Sequence, residues 1–136
     1  METIILDNDI QVLFITASSF PQGIEQAHKE LHARVPFSEN RKYFGVSRPE
    51  DNGAIIYRAA AEELVPGEAE KYDCGTLVLK KGSYTSLTIT HYRKDTEAIA
   101  RAFDQLLSQR NLDPQGYCVE WYVNDHDVNC MVRLAD

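Results

Sequence analysis

No apolar run in this chain approaches the ~20 residues that cross a bilayer. Its first residues, Met1-Glu2-Thr3, have neither the basic start nor the apolar core of a signal peptide. Both absences point to a cytoplasmic protein with no membrane partner. Positive charge is scarce: 14 Lys and Arg stand against 21 Asp and Glu, a formal charge of −7. Phosphate backbones need a basic face, so nucleic acid is not an expected partner. Cysteine is scarce as well. Cys74, Cys118 and Cys130 lack metal-ligand spacing and read as reduced thiols. A Cys118–Cys130 disulfide is conceivable if their strands pair, but it is not the expectation. The seven glycines are scattered singly, which leaves no phosphate-cradling loop, and no Ser/His/Asp set is visible. His28 and His32 lie one helical turn apart, but the glutamate between them, Glu30, is out of register for a zinc-peptidase motif. Neither a metal nor a cofactor is expected.

What remains is an ordinary globular composition, 43% hydrophobic and 26% charged over 136 residues. A single domain of this size buries roughly two-thirds of its unfolded surface. The first strand signal is Ile10 to Thr16, extending back to Ile4-Ile5-Leu6 across the turn-like Asp7-Asn8-Asp9. Ser18 or Ser19 offers a helix N-cap and Pro21 suits the first turn. The helix puts Ile24, Ala27, His28, Leu31 and Val35 on one stripe and ends before Pro36. Strands over Lys42 to Ser47 and Ala54 to Ala60 follow, then an acidic connector from Glu62 to Asp73. The pattern then restarts. A strand region from Leu77 to Thr90 is broken at Lys80-Lys81-Gly82. Asp95 caps a second helix with Glu97 in its first turn, and its stripe is Ile99, Ala102, Phe103, Leu106 and Leu107. Strands over Cys118 to Val123 and Val128 to Leu134 close the chain.

The order β-α-β-β occurs twice, in pseudo-repeats of about 1–61 and 75–136. At an offset of 75, Val12 meets Leu87, Ala27 meets Ala102, and Leu31 meets Leu106. At 77, Phe44 meets Trp121 and Val46 meets Val123. This predicts an α+β fold: a duplicated β-α-β-β module with pseudo-twofold symmetry, its antiparallel sheet covered by helices on one side. Under the second offset Glu120 and Tyr122 match Tyr43 and Gly45. These four are expected on one sheet face, and Phe44, Val46, Trp121 and Val123 on the other. The apolar face should take the helices. The face with the glutamate should hold a cavity, with Gly45 across from Tyr122 leaving room for a guest.

Glu120 is the unusual residue. Strand interiors are depleted in Glu, and a carboxylate taken out of water costs several kcal/mol unless paired. It is either the floor of a ligand pocket, or on a solvated face, or paired with Arg58 or Arg133. In a pocket it can meet a cation, with cation–π help from neighbouring rings, or act as general base on a water.

Several stretches together resemble the stand-alone GyrI-like proteins, relatives of the effector-binding domains of bacterial multidrug-sensing transcription regulators. They are Phe20-Pro21-Gln22-Gly23, Tyr43-Phe44-Gly45-Val46-Ser47-Arg48-Pro49, Ile56-Tyr57-Arg58-Ala59-Ala60, Pro66-Gly67-Glu68-Ala69-Glu70-Lys71-Tyr72 and Glu120-Trp121-Tyr122. The resemblance runs from about Gln11 to the end. It implies a single GyrI-like effector-binding domain over 1–136, with an aromatic-lined pocket between the modules that takes lipophilic, cationic small molecules and has Glu120 as its acidic residue. It also implies two alternatives: a hydrolase of electrophilic, cyclopropane-type compounds, or an inhibitor of DNA gyrase. A regulator or gyrase would then be a protein partner. No helix-turn-helix precedes the first strand, so a sensor without a DNA reader is expected. The candidate ligand-binding residues are Glu120, Tyr122, Trp121, Tyr43, Gly45, Tyr57, Tyr84 and Tyr92. In the hydrolase alternative Glu120 is the base, with Tyr57 or Tyr122 positioning or protonating.

Overall fold

The computed structural model describes residues 1–95 and 97–136. Eight strands and three helices follow in the order β1 (Glu2–Leu6), β2 (Ile10–Thr16), α1 (Ile24–Arg34), β3 (Tyr43–Pro49), β4 (Ile55–Glu62), α2 (Glu68–Tyr72), β5 (Gly75–Leu79), β6 (Gly82–Ile89), α3 (Ala98–Leu107), β7 (Cys118–Tyr122) and β8 (Val128–Arg133). A short 3-10 turn, Tyr92–Lys94, precedes α3. The strands form one antiparallel sheet, ordered β1-β6-β8-β7-β3-β4-β2-β5. That order reads the same from both ends once β1 is exchanged with β5, β6 with β2, β8 with β4 and β7 with β3. The duplicated module is therefore real, and its pseudo-twofold axis lies between β3 and β7, at the directly paired Phe44 and Trp121.

The connections force the sheet to curl. β1 and β2 are six strand steps apart in the sheet, about 29 Å if it were flat. The link Asp7–Asp9 can reach only ~14 Å from Leu6 to Ile10. Lys80 and Lys81 make the matching crossing from β5 to β6. The Asp9 carboxylate accepts the Lys81 N–H at 2.8 Å and ties the two crossings together. Inside the curl Val12, Phe44, Val46, Ala60, Leu79, Tyr84, Val119 and Met131 pack on one another. On the outer face Ala27, Leu31 and Val35 around α1 cover Leu13, Ile15, Ala59 and Ala61. Likewise Ala102 and Leu106 of α3 cover Val128, Cys130 and Val132.

The assignment of faces is the reverse of the expectation. The helices sit on the face that carries Tyr43, Gly45, Glu120 and Tyr122, because the apolar face satisfies itself by curling. Val123 lies beyond the end of β7 and is 42% exposed. Local corrections follow similar logic. α1 begins at Ile24 behind Gly23, with no side-chain cap, so neither Ser18 nor Ser19 has that role. The acidic connector contains α2, whose Glu68 accepts both Nη groups of Arg41, at 2.9 and 3.0 Å, and the N–H groups of Leu64 and Val65. This tertiary brace, rather than local propensity, sustains a five-residue helix. Asp95 lies ahead of α3, accepting the Glu97 N–H and pairing with Arg101. Leu107, expected in the apolar stripe, is 49% exposed. Cys118 and Cys130 lie on paired strands but out of register, opposite Val132 and Glu120 respectively, and all three thiols are free. Among the described residues, no helix is long and apolar enough to cross a membrane.

Candidate functional site

Glu120 stands on β7 with Gly45 of β3 on one side and Cys130 of β8 on the other. It is 9% exposed. Tyr122, two residues along and therefore on the same face, donates its hydroxyl proton to Glu120 Oε1 at 2.5 Å. Tyr57, from β4, reaches across Gly45 to donate to the same oxygen at 3.3 Å, and its hydroxyl is 3.1 Å from that of Tyr122. The close approach explains the glycine. A Cβ at residue 45 would lie 2.0 Å from Tyr57 Oη and 2.7 Å from the adjoining ring carbon. The room expected for a guest is thus taken by Tyr57, and the residue facing Gly45 across the strands is Glu120 rather than Tyr122.

The fourth member comes from α1. His28 Nε2 lies 2.8 Å from Tyr57 Oη, and its ring meets Tyr57 and Tyr122 edge-on at 5.8 and 5.4 Å. With the proton on Nε2, His28 donates to Tyr57 and both phenols donate to Glu120, so every proton points toward the carboxylate. Burial pushes Glu120 up to about 6, against the restraining hydrogen bonds from Tyr122 and Tyr57. Burial, with nearby His32 adding to it, lowers His28 to about 4. At neutral pH the cluster therefore holds an ionised carboxylate and an uncharged imidazole. Neither arginine considered as a partner is paired with it: Arg133 engages Asp113 and Asp136, and Arg58 lies over the Phe14 ring. Among the described residues no cation pairs with Glu120.

Above this cluster a groove of about 830 Å³ runs between α1 and the segments around Tyr92 and Asn124. His28 and Tyr122 are its floor, with Glu120 and Tyr57 one side-chain layer beneath. Tyr43 forms one wall, with Phe37 stacked on it at 5.7 Å and His32 at 5.1 Å. Tyr92 forms the other, 5.7 Å from Tyr122. Lys29 and Arg93 share the rim with Glu25, Glu39 and Asp125.

Six of the eight residues picked from the sequence converge here: Glu120, Tyr122, Tyr57 and Gly45 in the cluster, Tyr43 and Tyr92 on the walls. The other two do not. Strand alternation turns Trp121 to the inside of the curl, opposite Phe44, and Tyr84 packs in that same interior, its hydroxyl donating to the Lys80 carbonyl at 2.6 Å. Sequence reasoning missed His28 and Phe37. His28 was visible as the one polar member of an apolar helix stripe. Phe37 gave no signal beyond its place after Pro36.

No protein-family model matches the chain, and no curated protein matches it in sequence. Solved structures do match in fold. An integron cassette protein from the mobile metagenome of Vibrio cholerae aligns with a TM-score of 0.71 at 9% identity, covering 98% of this chain and 94% of that one. SAV2435, solved bound to tetraphenylphosphonium, aligns at 0.68 and 13%, covering 98% and 92%. A candidate bacterial transcription regulation protein from Staphylococcus aureus MU50 aligns at 0.59 and 11%, covering 99% and 97%. At such identities the likeness establishes a shared fold.

Proposed function

We propose that the chain is a GyrI-like binding protein that takes lipophilic organic cations in the groove between α1 and the Tyr92 turn, as a stand-alone sensor or sequestering protein. The observation that carries this is the state of Glu120: a buried carboxylate held by two phenols, one of them backed by a neutral imidazole, with no cation beside it among the described residues. Such a charge costs several kcal/mol when it is left uncompensated. A cation resting on Tyr122 at roughly 7 Å would gain about 2 kcal/mol from it at an effective dielectric of ~20. The faces of Tyr43, Tyr92 and Tyr122 would each add ~0.5–2 kcal/mol of cation–π attraction. The ligand seen in SAV2435 is of this chemical class.

The discriminating experiment pairs tetraphenylphosphonium with tetraphenylborate, the same shape with the opposite charge. At 100 times its dissociation constant, the phosphonium should add ~2.7 kcal/mol of stability, and the borate none. Equal shifts from both ions, or none from either, would overturn the reading. The hydrolase alternative, with Glu120 as base and Tyr57 or Tyr122 as acid, requires substrate to reach a carboxylate that lies under Tyr122. Cation binding needs only its field.

A further inference from the structure

The Tyr43 wall of the groove differs in kind from its floor. The floor lies over a carboxylate, whereas the wall brings together Tyr43 and Arg41, both of which line the groove. Arg41 is 8% exposed and firmly braced. Its Nη1 donates to the Glu62 carbonyl at 2.7 Å and to Glu68 Oε1 at 3.0 Å, and its Nη2 donates to Glu68 Oε2 at 2.9 Å. That uses both Nη1 protons and one on Nη2. The other Nη2 proton and Nε–H remain, side by side on one edge of the guanidinium. Nε is buried and has no hydrogen-bond partner among the described residues. Tyr43 adds a further donor. Its hydroxyl oxygen accepts the Ser38 N–H at 3.1 Å, while its own proton goes to no acceptor among the described residues. A buried donor without an acceptor is costly, and here two stand together on one wall. Glu68 already matches the charge of Arg41, and Glu39 stands at the rim, so the wall calls for a neutral acceptor rather than an anion.

We propose that this wall is a second recognition point, at which Arg41 Nε–H and the Tyr43 hydroxyl bind a neutral carbonyl-type oxygen carried by the ligand. The inference rests on the reading of the groove as a cation site, and narrows its ligands to lipophilic cations that bear such an oxygen on a short arm. At about 830 Å³ the groove is near the upper end of the range for ligand pockets, which leaves room for that arm beside the rings. The oxygen would accept from the free edge of the guanidinium, which Glu68 holds in place from the other edge.

Two phosphonium ions test it: (5-oxohexyl)triphenylphosphonium, and the 5-methylhexyl ion in which a methyl replaces the oxygen. The Nε–H resonance that Arg41→Lys removes identifies Arg41 in the parent spectrum. At saturation the keto ion should move that resonance downfield, and the hydrocarbon ion should leave it in place. Arg41→Lys keeps a charge for Glu68 but has no Nε–H edge. It should lower the affinity for the keto ion relative to the hydrocarbon ion about three- to tenfold, the weight of one hydrogen bond. Tyr43→Phe, which keeps the ring, should lower the same ratio. If both ions bind and the resonance stays still or moves equally with each, the proposal is overturned and the cation site stands. A ratio unchanged in both variants would overturn it as well. If neither ion binds, the cation site falls and this proposal with it.

Discussion

The two halves of the molecule share a scaffold and divide a site. Ala27 and Ala102 are both buried under their helices, as are Leu31 and Leu106, at repeat-equivalent positions. At the centre the equivalence stops. The second half contributes the charge, Glu120, and the ring that covers it, Tyr122. The first half has Tyr43 and Gly45 at those positions, and contributes Tyr57 and His28 to the cluster. The counterpart of His28 is Phe103, which packs with α3 against the sheet. Two identical copies would bring either two carboxylates or none to the axis, and two buried like charges repel. Divergence at three or four positions gives one acid surrounded by uncharged donors.

The largest effect should come from making the halves less different at the axis. Gly45→Ala forces a Cβ into Tyr57, which is 1% exposed and has nowhere to go. Overpacking of this kind costs about 2–3 kcal/mol, read as a lower denaturation midpoint at unchanged slope. Adding Tyr57→Phe should recover only part of it, since the ring carbon 2.7 Å away remains.

Glu120→Gln is next, and it removes the charge that sets the halves apart. Glu120 is raised from 4.5 to about 6 on folding, so the folded state favours its neutral form. Its contribution is fully present below pH 4.5 and is lost as pH rises through 6, about 2 kcal/mol in all. The variant should therefore be more stable than the parent at pH 7, and equal to it near pH 4. Its affinity for tetraphenylphosphonium at pH 7 should fall about thirtyfold, the same ~2 kcal/mol. A variant that binds the phosphonium as before would break the link between the buried acid and the groove.

How much of this was legible follows from the kind of signal each feature leaves. The duplication was readable because helix stripes and strand periods recur whatever the tertiary detail. Glu120 was readable because an acid amid Cys118, Val119, Trp121 and Tyr122 breaks the local pattern. The choice of face was not readable. Alternation assigns Phe44 and Trp121 to one side and Glu120 to the other, but whether the apolar side meets helices or its own strands depends on the crossings at Asp7–Asp9 and Lys80–Lys81. Those are facts of connectivity between distant strands. Tyr57 over Gly45 was hidden for the same reason: the glycine read as space, and only the packing shows what fills it. The α2 helix depends on Arg41, 27 residues from Glu68.

His28→Phe copies the second half into the first and should cost about 1 kcal/mol at pH 7, through the lost hydrogen bond to Tyr57. The folded state resists charging His28, which is lowered from 6.5 to about 4. Its contribution is complete above pH 6.5 and is lost as pH falls through 4. The phenylalanine has no such dependence, so the ~1 kcal/mol deficit should shrink on acidification, change sign between about pH 5 and 6, and become an advantage by pH 4. A deficit that stays constant from pH 7 to pH 4 would mean that the imidazole is not desolvated as its packing indicates.

The smallest effect belongs to the wall. Phe37 is 71% exposed and stacks on Tyr43 with parallel rings, an arrangement that buries little of itself and leaves one face to the groove. Phe37→Ala should leave the melting temperature unchanged, because the ring covers no core residue. It should weaken tetraphenylphosphonium by about two- to fivefold, the ~0.5–1 kcal/mol of one aromatic contact. Tetramethylammonium, which presents no rings to stack, should bind parent and variant alike. Equal losses for both cations would mean that Phe37 acts by holding Tyr43 in place. A loss confined to the aryl cation makes it a direct contact, and the first half then supplies the shape recognition while the second supplies the charge.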